Sequence, residues 1–247
     1  MPQRLKLIVA YDGAAFAGWQ SQSHRNTVQD NLERAFRKIT GKITRVHGAG
    51  RTDAGVHALA QCAHVDLADR RLSTARWTAA LNSLLPPTIR ILRCRYVAQD
   101  FHARFSAKGK VYRYRIWSGP ILPPLELARA WHIPAKLDFD VLKAAAAQFV
   151  GTHDFAAFAA NRGKSETSTT RTIRSIVVGR KGPGLTIEFD GNGFLYKMVR
   201  LMVGSMSQAA LGKLTVDDIA ARLLSGRANG ARLTAPADGL FLVRVWY

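Results

Sequence analysis

The residues best suited to chemistry lie in a glycine-rich block at residues 48–57, which reads Gly-Ala-Gly-Arg-Thr-Asp-Ala-Gly-Val-His. The glycines of this block let another surface approach the backbone closely, which is typical of a loop rather than of a core segment. The loop carries a cation, Arg51, and a carboxylate, Asp53, which would point into the same cleft in an extended backbone. An Asp beside an Arg stays ionised at neutral pH, so Asp53 is a candidate nucleophile. The alternative is a surface turn in which Asp53 bonds the backbone.

Net charge indicates the kind of partner. The chain has 36 Lys and Arg against 17 Asp and Glu, and the resulting charge of +19 favours a polyanion. The sequence shows no apolar span of about 18 residues, no amphipathic anchor and no signal region, so nucleic acid is favoured over a membrane. Cys62 and Cys94 lie in apolar runs without CxxC spacing, which indicates reduced core residues of a cytoplasmic protein. The scattered histidines lack the paired spacing of a metal site.

Residue periodicity predicts the element order βαββαβ for an amino-terminal half of residues 1–108. The predicted elements are a strand through Leu5, Leu7, Val9 and Tyr11, a helix capped by Thr27 and Asp30 and stopped at Gly41, strands at 43–47 and 61–66, a helix at 74–84 and a strand at 89–97. The glycine loop lies between the two middle strands. Phe16 and Trp19, in the loop after the first strand, either form a lid or base-stacking element or pack that loop down.

The same order with one extra helix is predicted for a carboxy-terminal half of residues 109–247. The predicted elements are a strand at 111–117, a helix at 138–150 stopped at Gly151, a loop at 161–172, strands at 172–179 and 185–190, helices at 194–211 and after a cap at Thr215 and Asp218, and a strand at 240–246. The predicted fold class is α+β, with two ferredoxin-like βαββαβ halves joining into one mixed, largely antiparallel sheet. Helices would lie on one side of this sheet, and a basic cleft would cross the junction.

One residue of the carboxy-terminal half is a candidate for the cleft. Arg200 is predicted one helical turn after Tyr196 and on the same face. It is either a solvated surface cation, or it reaches the cleft and pairs with Asp53.

Short motifs follow one another in a fixed order: Tyr11-Asp12-Gly13 with Phe16, Gly18-Trp19-Gln20, Thr27-Val28-Gln29, Gly50 to His57, Phe101 to Ala107 leading into Tyr112-Arg113-Tyr114, Phe194 to Gly204, and Gly239 to Val243. Together they resemble the tRNA pseudouridine synthase A family over nearly the whole chain, and the block from Gly50 to His57 is the specific element. The resemblance favours the catalytic interpretation of Asp53 over the surface turn. One departure is Leu201, which replaces the asparagine usual in the family after Arg200 and takes away a polar contact.

The resemblance implies an isomerase that converts uridine to pseudouridine at positions 38, 39 and 40 in the anticodon stem-loop of tRNA. By this likeness Asp53 would be the nucleophile, and Arg51 would help to move or position the target nucleotide. Tyr112 would stack on the flipped base, a role that an aromatic ring suits, and the alternative for a strand tyrosine is an ordinary cross-strand pair in the sheet. Arg200 would pair with the Asp53 carboxylate. The resemblance also implies a homodimer that needs no cofactor.

The reaction breaks the ribose C1′–N1 bond, turns the uracil and joins C1′ to C5 with loss of the C5 proton. No atoms are gained, so no ATP, redox cofactor or metal is required, in agreement with a sequence that has no P-loop or dinucleotide fingerprint. Asp53 could add to C1′ or to C6 of uracil, or assist loss of the 2′ proton, and the sequence leaves these routes open.

Two other classes of function compete. A non-catalytic RNA-binding protein or RNA chaperone would explain the charge and the aromatic residues, but an acidic residue in a basic loop would weaken its phosphate binding. A nucleotide-binding enzyme could use Gly48-Ala49-Gly50, but that motif lacks its third glycine and precedes a predicted strand where a helix is needed.

Overall fold

A computed structural model describes residues 3–23, 26–68, 72–160, 168–226 and 233–247. The chain is α+β, as predicted, and it divides into two compact units. The first unit contains residues 1–108 together with 241–247, and the second contains residues 109–240. The closing strand, which we expected in the carboxy-terminal half, thus lies with the first unit. Within the described ranges, no helix has the length and apolar character needed to cross a membrane.

The strands in chain order are β1 (Gln3–Tyr11), β2 (His47–Gly48), β3 (His57–Leu67), β4 (Ile89–Val97), β5 (Gly109–Ser118), β6 (Trp131–Ile133), β7 (Gly151–Asp154), β8 (Thr170–Lys181), β9 (Gly184–Gly191) and β10 (Leu240–Trp246). The α-helices are α1 (Val28–Thr40), α2 (Thr74–Leu84), α3 (Phe139–Ala147), α4 (Met198–Ala210) and α5 (Val216–Ser225).

The first unit has the predicted order βαββαβ, from β1 to β4. Its sheet runs β4-β1-β3, and β1 is antiparallel to both neighbours. β3 pairs with β2 near its middle and, in parallel, with β10 at its beginning, where Phe241 lies opposite His57. Leu5, Leu7 and Val9 of β1 are fully buried, as their alternation predicts.

Helix α1 shows how local residues set an element. The Thr27 side chain accepts a hydrogen bond from the Asp30 amide and so begins the helix. Gly41 ends it in the left-handed conformation with φ of 70°, which glycine adopts without a Cβ clash. Both ends are therefore confirmed, and the helix buries the apolar face formed by Val28, Leu32, Ala35 and Phe36.

The strand predicted at 43–47 is wrong for most of its length, because only His47 and Gly48 pair, opposite the middle of β3. β3 in turn begins at His57 rather than at residue 61, because its pairing with β1 and β10 extends the ladder into the end of the glycine block. The glycine loop is therefore shorter than predicted and leads directly into a long strand.

The second unit contains an antiparallel sheet in the order β5-β9-β8-β7, with β6 pairing in parallel with β5. The short strands β6 and β7 were not predicted, because a few residues carry too little periodicity. β8 begins at Thr170, inside the loop predicted at 161–172, and residues 161–167 lie outside the described part of the chain. The cap of α5 by Thr215 and Asp218 is confirmed.

Two helix boundaries in the second unit differ from the prediction. α3 ends at Ala147, and Gly151 begins β7 with φ of 116° rather than stopping the helix. α4 begins at Met198 rather than at residue 194, because Lys197 before it takes the left-handed conformation with φ of 58°. A lysine does not predict a left-handed backbone conformation, so the start of α4 could not be read from the residue type of Lys197.

Candidate active site

The glycine block places three successive side chains in different surroundings. Thr52 is buried, with 6% of its surface exposed, whereas Arg51 is exposed and Asp53 is half-buried. The buried Thr52 side chain anchors the middle of the loop, between the exposed Arg51 and the half-buried Asp53.

Buried polar contacts fix the backbone of this loop. The hydroxyl groups of Tyr11 and Thr52 share a hydrogen bond of 2.8 Å in the interior. The Thr52 carbonyl accepts a hydrogen bond from the Trp19 amide at 3.1 Å. Gln61 donates from Nε2 to the Gly50 carbonyl at 3.0 Å. Since burial raises the pKa of Tyr11, its hydroxyl remains protonated and able to bond Thr52 at all ordinary pH values.

Glycines in the preceding loop let two backbones meet. A Cβ at Gly18, whose φ is +96°, would lie 2.6 Å from the Thr52 carbonyl oxygen and 3.1 Å from the Asp53 carbonyl carbon. A Cβ at Gly13 would lie 2.1 Å from the Val56 carbonyl oxygen. These positions exclude any side chain, so the loop after β1 supports the backbone on both sides of Asp53.

The aromatic residues of that supporting loop face inward. Trp19 is 2% exposed and packs against Gly48, where a Cβ would lie 2.5 Å from the indole ring. Phe16 is 8% exposed. Of the two interpretations, the structure favours loop packing, because the Trp19 ring is enclosed against the Gly48 backbone.

His57 is a further supporting residue that the sequence did not single out. Its Nδ1 accepts a hydrogen bond from the Gly13 amide at 3.1 Å, and its ring stacks on Phe241 with 4.6 Å between centroids. It therefore links the loop after β1, the end of the glycine block and β10. A histidine after Gly-Val in the block was visible in the sequence, but the residues that it contacts, among them Asp12, Gly13 and Phe241, are distant in sequence.

Tyr112 lies in β5 of the second unit and is 8% exposed. It pairs with Phe189 across the ladder and meets Phe194 edge to face, with 5.1 Å between ring centroids. The cross-strand arrangement weighed against base stacking is therefore present. Phe194 holds the ring of Tyr112 in a fixed orientation.

Arg200 lies in the first turn of α4 and is half-buried. Its Nε donates to the Ala235 carbonyl at 2.7 Å, and its own carbonyl accepts from the Ala235 amide at 3.1 Å. Burial raises the pKa of Tyr114, and the nearby positive charge of Arg200 opposes this rise. Arg200 is thus a structured cation of the second unit rather than a solvated surface residue.

Two neighbours of Arg200 change the sequence interpretation. Tyr196 precedes the left-handed Lys197 and lies outside α4, so the prediction that it shares a helix face with Arg200 is wrong. Leu201, which departs from the family pattern, is 4% exposed and belongs to the buried side of the helix. An apolar residue suits this position, so packing replaces the polar contact expected from an asparagine.

A family model described as tRNA pseudouridine synthase matches residues 7–106 and 145–247. The matched segments contain Arg51, Asp53 and Arg200, whereas Tyr112 lies between them. "tRNA pseudouridine synthase A" of Akkermansia muciniphila is 49% identical over 252 residues, which cover 99% of this chain and 95% of that protein. The protein of the same name from Acetivibrio thermocellus is 42% identical over 245 residues, covering 99% of this chain and all of the relative. That from Solidesulfovibrio magneticus is 44% identical over 251 residues, covering 99% and 91%.

Proposed function

The chain belongs to the tRNA pseudouridine synthase family, and from this premise we propose that it isomerises uridine to pseudouridine in tRNA with Asp53 as the nucleophile. The observation that supports the role of Asp53 is the loop itself. A half-buried carboxylate follows Thr52, and buried hydrogen bonds and a close glycine contact fix the backbone there. Such a carboxylate meets substrate without first reorganising the protein.

The overall reaction balances without a co-reactant. The C1′–N1 bond breaks, the uracil turns and a C1′–C5 bond forms. The proton on C5 leaves to solvent or a base, and N1 takes up a proton, so the product is an isomer of the substrate. Asp53 would act by addition to C1′, by addition to C6, or by assisting loss of the 2′ proton, and each route begins from an ionised carboxylate near the flipped nucleotide.

The other candidate residues would assist this step in separate ways. Arg51, exposed beside Asp53, would move or position the target nucleotide through its phosphate. Tyr112, oriented by Phe194, would stack on the flipped base and offset part of the unstacking cost of a few kcal/mol. Arg200, directed by its bond to the Ala235 carbonyl, would pair with the Asp53 carboxylate.

The finer features of the proposal come from the family resemblance and the charge. The target nucleotides would be positions 38, 39 and 40 of the anticodon stem-loop, and the working form would be a homodimer in the cytoplasm. The net charge of +19 supports a tRNA partner, because Lys and Arg that neutralise phosphates release counterions.

The test uses unmodified tRNA transcripts that carry tritium at C5 of uridine. We expect the wild type to release tritium and to form pseudouridine that maps to the anticodon arm. Asp53→Ala and Asp53→Asn should release none while binding the transcript with unchanged affinity, because neither change removes a phosphate contact. Tritium release by Asp53→Asn at the wild-type rate would reject the nucleophile. Tight binding without release by any variant, wild type included, would replace the enzyme with an RNA-binding protein.

A further inference from the structure

Aromatic rings in the first unit form a continuous series from the sheet to the surface. His64 of β3 is buried at 1% exposure, and the His102 ring meets it edge to face with 4.7 Å between centroids. Phe105 packs against His102 at 4.3 Å with 31° between the planes. Phe105 itself is 76% exposed. The large apolar ring of Phe105 therefore packs on His102 and is otherwise exposed to solvent.

Hydrogen bonds make this exposed segment rigid. His102 Nδ1 accepts from the amides of Arg104 at 3.1 Å and Phe105 at 3.3 Å. The His102 amide donates to the Ser106 hydroxyl, and the Ser106 amide donates to the His102 carbonyl, both at 2.9 Å. A binding partner would therefore meet a preformed surface at a low cost in conformational entropy.

The segment is also tied to the body of the first unit. The Ala103 amide donates to His64 Nδ1 at 3.1 Å, and the Tyr247 hydroxyl donates to the Ala103 carbonyl at 2.7 Å. Ala103 is fully buried. The exposed ring of Phe105 is thus held by β3 and by the segment after β10, not by the loop alone.

A cation lies beside the exposed ring, and further basic residues lie in the segment that leads into β2. The Arg104 guanidinium carbon lies 5.6 Å from the Phe105 ring centroid, and Arg45 and His47 are exposed in the segment that leads into β2. His47 stacks on His64 with 5.0 Å between centroids, which places it beside the ring series. The nearby carboxylate Asp66 accepts two hydrogen bonds from Arg4, at 2.7 Å and 2.9 Å. The surface thus combines positive charge with an aromatic face.

The histidines in the series are neutral at physiological pH. Burial, followed by the charges of Arg4 and the other histidines, lowers the pKa of His64 to about 4. Burial and then the charge of His47 also lower the pKa of His102. Each accepts backbone hydrogen bonds at Nδ1, so each carries its proton at Nε2. Among the described residues, no group of three or more His, Cys, Asp or Glu could hold a metal ion, so the series is not a metal site.

We propose that this surface, formed by His47, His102, Arg104 and Phe105, binds an unpaired nucleotide of the tRNA substrate. The base stacks on the exposed face of Phe105, and a neighbouring phosphate pairs with Arg104. Single-stranded RNA is recognised by this combination, because every base has a face that can stack and every linkage carries a negative charge. The inference rests on the proposed function, since the nucleotide belongs to the proposed substrate.

The first experiment measures the affinity for unmodified tRNA by filter binding at fixed salt. Phe105→Ala should weaken binding by about tenfold, the range expected for one base–aromatic stack, and Phe105→Trp should restore it. Arg104→Ala should also weaken binding and lower the slope of log affinity against log salt by about one. The matched control is Leu125→Ala, which removes an equally exposed apolar side chain (86% exposed) from the second unit and should leave affinity unchanged.

The outcomes separate this inference from the proposed function. Thermal melting of each variant should stay at the wild-type temperature, because Phe105 is mostly exposed. If the wild type releases tritium but Phe105→Ala binds tRNA within twofold of it, the inference fails and the proposed function stands. If the wild type binds tRNA without tritium release and Phe105→Ala still weakens binding, the proposed function fails and the inference stands. Conversion of a dimer to a monomer by Phe105→Ala in sedimentation, with unchanged tRNA affinity, would assign the surface to a second copy of the chain and overturn the inference.

Discussion

The two units hold their candidate site residues in opposite ways. In the first unit, Arg51 and Asp53 are neighbours in sequence, and long-range contacts from Tyr11, Gly18 and Trp19 fix the short loop that carries them. In the second unit, Tyr112 and Arg200 lie far apart in sequence, and regular elements carry them, a strand and the first turn of a helix. The position of Asp53 depends on two backbone segments that lie in close contact. The positions of Tyr112 and Arg200 each depend on a single side-chain contact. Substitutions that disturb the backbone contact in the first unit should therefore reduce turnover more than substitutions of single contacts in the second unit.

The largest effect should follow from Gly18→Ala. The new Cβ would lie 2.6 Å from the Thr52 carbonyl oxygen and must push the backbone of Asp53 away. A displacement of about 1 Å can cost about 100-fold in turnover, so we expect at least that loss in tritium release with tRNA affinity retained. Gly41→Ala is the matched control, since its φ of +70° gives similar backbone strain but its Cβ meets nothing within 4 Å. Equal turnover by both variants would show that the close approach does not position Asp53.

A smaller loss of turnover should follow from Arg200→Lys in the second unit. Arg200→Lys keeps the charge but removes the Nε bond to the Ala235 carbonyl, so the cation loses its fixed direction. Loss of one charged hydrogen bond corresponds to roughly 2 kcal/mol, and we expect turnover to fall by about 30-fold. Single-turnover kinetics at saturating tRNA would measure this directly. A variant as active as the wild type would mean that any cation suffices there.

Tyr11→Phe should reduce turnover by about tenfold, because it leaves the Thr52 hydroxyl buried without its partner at a cost of about 1–3 kcal/mol. Thr52→Val should act similarly, Thr52→Ser should retain activity, and the double variant Tyr11→Phe with Thr52→Val should cost less than the sum. The control is Tyr96→Phe, which loses a hydroxyl bonded to the Leu72 carbonyl at 2.8 Å in the same unit. If Tyr96→Phe lowers turnover as much as Tyr11→Phe, general destabilisation explains the loss.

The smallest effect should be one of pH on stability. His64 has its pKa lowered by burial to about 4 in the folded chain, so the unfolded chain binds this proton more tightly. The stabilisation is complete above the unfolded pKa of about 6.5 and is lost as the pH falls toward 4. Thermal melting between pH 7 and 4 should show this loss. His64→Asn, which retains an acceptor for the Ala103 amide, should flatten the curve, and an unchanged curve would exclude His64 as its source.

The sequence predicted best what neighbouring residues determine. The cap of α1 at Thr27 and its stop at Gly41 are local, and the structure contains both. Prediction from the sequence failed where an element depends on residues that are distant in the chain or on an unusual backbone conformation. The length of β2 is set by its pairing with β3. The start of α4 is set by the left-handed conformation of Lys197, which a lysine does not predict.

The candidate site shows the same division. The block from Gly50 to His57 identified Asp53, but nothing in the sequence linked Tyr11 to Thr52, because their contact depends on how the loop returns to β1. The exposure of Phe105 was also not predicted, since an apolar residue in a motif is usually buried. Pairing of Asp53 with Arg200 and stacking by Tyr112 remain predictions.

The place of β10 has a consequence for synthesis on the ribosome. Residues 241–247 complete the first unit, where Phe241 stacks on His57 and Tyr247 bonds Ala103, although the rest of that unit ends at Lys108. All of the second unit is therefore translated before the strand that closes the first can emerge. The loop that carries Asp53 reaches its final support late, so nascent chains interrupted within the second unit would carry Asp53 on an unfinished scaffold and would be substrates for proteases rather than partially active enzymes.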